Sequence, residues 1–325
     1  MLAYVLRRLA MGVVLLFVAS FLVFLLVSYS GDPLALLRSN PHIPRATILA
    51  REKLLHLNES VPARYWTWLT GVLHGDFGAD LAGNPVGPQL WHRLLITLRM
   101  VIAATALSVI LAVIVGVVSA IRQYSVVDYV ATSASYIFIS TPVFVIGLLL
   151  KEFVAINFNK AVGHTYLYTV GEQSGVLESS FAGRLGDYVA HTALPVLTLV
   201  LITYAAWSRY QRAELLDVAS RDYIRLARAK GISPRRVLVR HMLRNALIPV
   251  VTVVGLDTAA IFGGAIVTES VFGWQGMGQF FLQGVTNLDV NVVLAWLLVT
   301  ALIVVMMNIL VDVLYASLDP RIRYA

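Results

Sequence analysis

The chain contains no cysteine among its 325 residues, and only 13% of its residues are charged. Without thiols it has no disulfide framework, no thiolate zinc site and no cysteine nucleophile. A soluble domain carries about 25% charged residues. The low charge, together with a hydrophobic fraction of 58%, therefore indicates a membrane protein.

Motifs for nucleotide and metal chemistry are also missing. No lysine follows a glycine, so the phosphate-binding loop G-x-x-x-x-G-K-[ST] is absent, and so is H-E-x-x-H. The seven histidines show no metal-ligand spacing. We predict that the chain is not an enzyme and has no catalytic residue, cofactor or metal site. Any nucleotide energy would come from another chain.

Long apolar runs dominate what is present. A helix needs about 20 apolar residues to cross the hydrocarbon of a bilayer. The runs that approach this length lie at 9–29, 100–121, 131–150, 189–207, 246–267 and 290–314. We predict an all-α, polytopic membrane protein with six transmembrane helices.

The order of these runs predicts three parts. Residues 1–30 form an N-terminal transmembrane helix, 31–97 an extracytoplasmic loop region with short helices, and 98–325 a core with five transmembrane helices. Lysine and arginine near span ends favour the cytoplasmic side. Most such residues fall on one side if the spans alternate, which predicts that both termini are cytoplasmic. The six basic residues of the 34–95 loop disagree, but that loop is near the length at which such charges lose influence.

The net charge of +7 is concentrated in one stretch. Residues 209–245 hold ten basic and three acidic residues, which accounts for the whole excess. Such a local excess indicates a contact surface, so we predict no nucleic-acid partner. Two other interpretations stay open: an amphipathic helix on anionic lipid, and a charge-rich loop that only fixes topology.

Within this stretch, local signals predict a helix, a tight turn and a second helix. Ser220 is suited to cap the first helix, with Asp222 in its first turn. Gly231 favours a left-handed stop because it has no Cβ. Ser233 and Pro234 then begin the second helix, with the hydroxyl as cap and proline at the first helical position.

Helical periodicity predicts two faces on the first of these helices. The charged stripe consists of Arg221, Arg225 and Arg228. The opposite, apolar side consists of Tyr223, Leu226 and Ala227. A short helix of this kind is suited to contact between two bodies.

One carboxylate is predicted deep in the membrane. Asp257 lies 11 residues beyond Ala246, which at 1.5 Å per residue is roughly 16 Å into the fifth run. Deep ionisable residues usually face an aqueous cavity or a partner. We hypothesise that Asp257 lines a solute path. The alternative is a protonated carboxyl that is hydrogen-bonded within the bundle.

The basic stretch resembles a known family. Residues 223–231 and 241–249 read YIRLARAKG and HMLRNALIP. They are similar to the coupling-helix signature of ABC-importer membrane subunits, in the form of the dipeptide, oligopeptide and nickel permeases. Further similarity to the B-type subunits of that family lies at 7–8 (RR), 31–33 (GDP), 75–78 (GDFG), 191–195 (HTALP), 269–274 (ESVFGW) and 319–323 (DPRIR). Ser30 and Gln275 stand where that family usually has proline.

This resemblance implies a type I ABC importer transmembrane domain with a cytoplasmic coupling helix at about 220–231. The residues that would couple to the ATPase are Tyr223, Arg225, Ala227, Arg228, Lys230 and Gly231. The implied function is that of a permease subunit that imports oligopeptides or dipeptides across the cell membrane by alternating access. The implied partners are a homologous C-type permease, ATP-binding subunits, an extracytoplasmic substrate-binding protein, the peptide and the lipid bilayer.

Other functions stay open beside this one. The chain would also suit a permease for nickel or another small solute. A membrane transporter outside the ABC class, or a scaffold whose basic loop binds lipid, would share its composition.

Overall fold

A computed structural model describes residues 2–175 and 180–318. Within these residues the regular structure is helical, and the only β pairing is an isolated bridge between Ala79 and Pro85. The prediction of an all-α protein is confirmed.

Groups of short helices lie between the long ones. The N-terminal third contains α1 (Leu2–Ser30), α2 (Ala35–Ser39), α3 (Arg45–Leu54), α4 (Val61–Leu73) and α5 (Val86–Ile121). The middle contains α6 (Val126–Ser140), α7 (Val143–Leu149), a π-helical segment (Leu150–Ile156), α8 (Asn157–Val162) and α9 (Phe181–Ser220). The remainder contains α10 (Asp222–Ala229), α11 (Pro234–Arg236), a second π-helical segment (Val237–Leu243), α12 (Arg244–Gly264), α13 (Ile266–Phe272), α14 (Met277–Thr286) and α15 (Val290–Leu318).

Several of these helices are long and apolar enough to span a membrane. In the described part of the chain, five do so as single helices: Arg7–Ser30, Val86–Ile121, Phe181–Ser220, Pro234–Thr258 and Val290–Val313. A sixth span results if α6 is joined to the helical stretch Val143–Val162. The two are bent by 108° where Pro142 interrupts the helix. Proline has no amide hydrogen and disfavours helix in the preceding residue, so the apolar run at 131–150 is broken.

The chain forms two compact units. The first comprises the residues up to Leu98 together with Gln275–Met306. Its apolar core joins α1, α4 and α15 around Tyr65, whose ring makes edge contacts with Phe21 and Phe24.

The second unit comprises Arg99–Trp274 and continues from Met307. Its longest element is α9, with 40 residues. At 1.5 Å per residue α9 is about 60 Å long, twice the thickness of a bilayer's hydrocarbon core. The last turns of α9 therefore extend beyond a membrane, and they lead directly into α10.

Candidate functional site

The helix α10 follows α9 after a single residue. Arg221, with φ −68° and ψ 147°, separates the two helices. Asp222 begins α10, so its carboxylate complements the helix dipole as predicted. The prediction that Ser220 caps α10 is wrong. Ser220 is the last residue of α9, and its hydroxyl donates to the Asp217 carbonyl oxygen at 2.7 Å.

The end of α10 matches the predicted stop. Gly231 has φ +74°, a left-handed conformation that favours glycine. Its amide donates to the Arg228 carbonyl oxygen at 3.0 Å, which closes the last turn. Pro234 occupies the first position of the next helix, as predicted, but the Ser233 side chain makes no capping hydrogen bond. The second cap prediction is therefore wrong, while the helix–turn–helix order is confirmed.

The inner face of α10 consists of Ile224 and Ala227, which are 0% and 8% exposed. They belong to one buried apolar cluster with Ala120, Leu215, Val218, Val237, Met242 and Ala246. This cluster fixes α10 against α9 and against the helices that follow it. Ala227 thus packs within its own chain, although the prediction of a coupling role for it remains untested.

The outer face of α10 differs from the predicted one. Tyr223 and Leu226 were expected on the side opposite to the arginines, but they are 46% and 56% exposed. At 100° per residue, Tyr223 and Leu226 share one side of α10, while Ile224 and Ala227 share another. Only one of these two sides can face the core, and in the structure it is the side of Ile224 and Ala227. The outer face therefore combines two apolar side chains with the exposed cations Arg225, Arg228 and Lys230.

The cations of the basic stretch have different surroundings. Arg225 lies 3.6 Å from the Asp222 carboxylate in an exposed contact, which contributes little energy. Arg221 is held by Asp217 at 2.6 Å. In the described part of the chain, no ion pair involves Arg228 or Lys230. The surface charge of α10 is therefore available to a partner.

Arg212, which also belongs to the basic stretch, is not part of that surface. Its Nε and Nη2 atoms donate to the two oxygens of Asp128, each at 2.8 Å. Asp128 is 3% exposed and lies in α6. Sequence reasoning missed this pair because its members are 84 positions apart. The available signal was a carboxylate in the first turn of α6, three residues after the capping Ser125.

Asp257 lies in α12 and is partly buried. The indole Nε1 of Trp207, on α9, donates to its Oδ2 at 2.8 Å. Trp207 itself is 1% exposed. Among the described residues, no lysine, arginine or histidine pairs with Asp257. A hydrogen bond within the bundle and partial exposure thus occur together, and the pathway hypothesis remains untested.

A second carboxylate, which was not singled out from the sequence, is fully buried within the protein. Glu269 lies in α13 and is 0% exposed. The amide of Trp274 donates to the Glu269 carbonyl oxygen at 2.9 Å, which helps to close α13 at Gly273. Its position close to the end of an apolar run gave no sign of this burial.

The helices and the projecting α10 define a multi-pass membrane protein with the fold of ABC-importer transmembrane domains. The chain is similar to the inward-facing MetNI methionine ABC transporter with a TM-score of 0.54 and 16% identity. The similarity covers 71% of this chain and 96% of that chain. At this identity it concerns the fold alone.

Residues 112–324 match the family described as the binding-protein-dependent transport system inner membrane component. Residues 1–86 match the N-terminal family of such membrane components. The chain belongs to this family. The prediction that it is a permease subunit of an ABC importer is therefore confirmed.

Curated relatives are similar over nearly the whole chain. The oligopeptide transport system permease protein OppB of Mycobacterium tuberculosis is 40% identical over 321 residues, covering 98% of both chains. The oligopeptide transport system permease protein AppB of Bacillus subtilis is 36% identical over 330 residues, covering all of both. The glutathione transport system permease protein GsiC of Salmonella typhimurium is 34% identical over 326 residues, again covering all of both.

Proposed function

We propose that this chain is the subunit through which an ATP-driven importer takes up oligopeptides or dipeptides across the cytoplasmic membrane. Whole-length relatives with 34–40% identity are named as oligopeptide and glutathione permeases, which supports a peptide substrate. The observation that carries the proposal is the exposed face of α10, whose opposite face packs on the end of the spanning helix α9. A membrane scaffold would not need a helix that is packed on a spanning helix and exposes a surface for a partner.

The α10 surface receives an ATP-binding subunit. Protein interfaces typically have an apolar centre with polar residues around it. A few of their side chains, the anchor residues, supply most of the binding energy. Tyr223 and Leu226 are the anchors in this proposal, and Arg225, Arg228 and Lys230 set orientation through charge. Gly231 fixes where α10 ends. Ala227 acts from the inner face by holding α10 on α9.

Further partners complete the importer. A homologous C-type permease forms the other half of the pore, and a substrate-binding protein delivers peptide from outside. ATP hydrolysis takes place in the ATP-binding subunits, not in this chain. Because those subunits meet α10, the α10 side is cytoplasmic, and so are both termini.

The natural absence of cysteine makes this orientation directly testable. Ala229→Cys and His164→Cys each add one thiol at an exposed position, on α10 and in the loop after α8. A membrane-impermeant maleimide applied to intact cells should label position 164 and leave position 229 unlabelled until the cells are permeabilised. Labelling of position 229 in intact cells would contradict the orientation.

Asp257 binds a cationic group of the solute in this proposal. It is a partly exposed carboxylate in the candidate span Pro234–Thr258, and its side chain accepts a hydrogen bond from Trp207. The N-terminal ammonium of a peptide is a suitable counter-ion. Asp257→Asn should weaken uptake of free-amine peptides more than of N-acetylated ones. Trp207→Phe removes the hydrogen bond but keeps the charge, so it should preserve that preference. Equal loss for both peptide types in Asp257→Asn would contradict the role.

Docking at α10 is tested by charge reversal with a matched control. Arg225→Glu with Arg228→Glu should remove the ATP-binding subunit from the complex extracted in mild detergent. Arg235→Glu with Arg236→Glu changes two exposed arginines outside α10 and should leave the complex intact. Recovery of the wild-type chain alone across several mild detergents would overturn the proposal. If the α10 variant kept its ATPase but lost affinity for anionic vesicles, the surface would bind lipid instead.

A further inference from the structure

The helix α6 makes both polar and apolar contacts with α9, and Phe138 packs edge-on against Tyr204 of α9. The residues of α6 that are buried are Asp128 and Ser135. Its apolar Val130 and Ile137 are 63% and 64% exposed. Hydrogen bonds are directional, so polar contacts hold two helices in one register. Beside this apolar contact, a small number of polar groups fixes the register of α6 against α9.

Asp128 is the centre of these contacts. The guanidinium of Arg212, on α9, binds both of its oxygens in a fork-like arrangement. The backbone amide of Tyr124, in the turn between α5 and α6, donates to Oδ2 at 2.9 Å. The Ser119 hydroxyl, on α5, donates to Oδ1. A single carboxylate thus joins three segments of the chain.

A second contact lies further along the same helices. The Arg209 guanidinium stacks 3.9 Å above the Tyr136 ring, and its Nη2 donates to the Tyr136 hydroxyl at 3.0 Å. Arg209 and Arg212 are three residues apart and share one side of α9. Their targets on α6 are eight residues apart, about 12 Å along the helix. Two contacts at this separation fix the orientation of α6 as well as its position.

The same end of α9 carries α10. Leu215 and Val218 of α9 pack against Ile224 and Ala227 of α10 in one buried cluster. Arg212 lies eight residues before the end of α9, again about 12 Å. A displacement of α10 therefore reaches Arg212 through well-packed side chains.

We propose that the Asp128–Arg212 ion pair, supported by the Arg209–Tyr136 contact, makes α6 move with α9 when an ATP-binding partner displaces α10. Asp128 and Arg212 are then positioning residues for transport. This inference rests on the proposed function, because it needs an ATPase that acts on α10. A buried ion pair adds little net stability relative to well-packed apolar side chains. Its fixed geometry, in contrast, suits the transfer of a displacement.

The joint movement of α6 and α9 is measurable as a distance. Val130→Cys on α6 and Ala213→Cys on α9 place spin labels at two exposed sites of a chain without native cysteine. In the reconstituted importer with cysteine-free partners, the distance should be the same without nucleotide and with vanadate-trapped nucleotide. Adding Asp128→Asn should make it differ between the two states. A distance that already changes in the otherwise wild-type chain would overturn the proposal.

The ratio of ATP hydrolysed to peptide imported gives an independent test. Arg212→Lys and Asp128→Asn should lower uptake about tenfold while most hydrolysis continues. Asp217→Asn breaks the exposed pair between Asp217 of α9 and Arg221, the residue after α9, and should change neither rate by more than about twofold. A wild-type ratio in both single variants would overturn the proposal.

Two outcomes need to be told apart. If the wild-type assembly shows no peptide-dependent ATP hydrolysis, the proposed function itself is wrong. If it does, and the single variants fail to assemble, the label distances of the otherwise wild-type chain still decide whether α6 follows α9.

Discussion

Gly116 of α5 and Gln211 of α9 are in such close contact that a methyl group on Gly116 would lie 2.9 Å from the Gln211 Cβ and 2.7 Å from the Ser208 carbonyl oxygen. Gln211 is itself fully buried. Small residues allow this kind of backbone approach between helices in membranes. Gln211 is next to Arg212 on α9. The close contact therefore helps to hold the part of α9 that leads into α10.

Gly116→Ala should therefore destabilise the protein. The added methyl group meets backbone, which cannot move aside, and overpacking of this kind costs about 1–3 kcal/mol. Gly186→Ala is the matched control, because Gly186 is also helical and a methyl group added there would have no neighbour within 4 Å. Thermal unfolding of the detergent-solubilised complex measures both. Equal midpoints for the two variants would contradict the close contact.

Truncating a side chain on the inner face of α10 should lower stability, whereas truncating one on the outer face should lower docking. Ile224→Ala removes a side chain that is 0% exposed and should lower the unfolding free energy by about 2–5 kcal/mol. Leu226→Ala removes one that is 56% exposed and should change that free energy by less than about 0.5 kcal/mol. It should nevertheless reduce recovery of the ATP-binding subunit with the purified chain. If Leu226→Ala left recovery of the ATP-binding subunit unchanged, the outer face would not be the docking surface.

Sequence patterns predicted the parts of this site that depend on local chemistry. Gly231 and Pro234 constrain the backbone wherever they occur, so the stop and the second start were predictable. The face of α10 was not, because Tyr223, Ile224, Leu226 and Ala227 are all apolar or small. Packing against α9 and the segment after α11 decides which of them are buried.

Contacts between distant positions left no signal that periodicity could detect. Trp207 and Asp257 are 50 residues apart, and Asp128 and Arg212 are 84 apart. Both pairs form because α9, with 40 residues, packs against α6 and also against α12. The 108° bend at Pro142 was not predicted either, because the run at 131–150 was taken as one transmembrane helix.

Backbone strain at Gly231 should impair transport more than stability. Gly231→Val puts a β-branched residue at φ +74° with no neighbour within 4 Å, so the strain comes from the backbone and costs about 1–3 kcal/mol. Gly163→Val is closely matched, since Gly163 has φ +72° and is equally free of neighbours, at the end of α8. Both variants should lose similar stability in thermal unfolding.

Only Gly231→Val should then lower peptide uptake at equal membrane abundance, because in the proposed function α10 docks the ATP-binding subunit and Gly231 ends that helix. Uptake measured in vesicles, corrected for the amount of chain inserted, separates the two effects. Similar uptake in the two variants would contradict the proposed role of α10 in transport.

In the N-terminal unit, burial raises the pKa of Asp289 to about 6. Its carboxylate accepts hydrogen bonds from the amides of Leu81 and Val292, and these bonds act in the opposite direction. Because its usual value is 3.8, the folded chain binds more protons than the unfolded chain between about pH 4 and about pH 6. Stability contributed by the protonated form is fully present below pH 4 and is lost as the pH rises through 6, by an amount on the order of 3 kcal/mol.

Asp289→Asn should remove this dependence. The unfolding midpoint of this variant should rise relative to that of the wild type as the pH rises from 4 to 6, and the difference should then remain constant.

Asp80, which lines the same cavity of about 620 Å³ as Asp289, is a control for which the pH dependence has the opposite sign. Although burial raises its pKa, hydrogen bonds from Gln89 and Asn84 lower it below the usual value. Asp80→Asn should therefore lose stability relative to the wild type above pH 4, and that deficit should shrink in stronger acid. Parallel curves for Asp289→Asn and the wild type from pH 4 to 6 would show that Asp289 is ionised throughout.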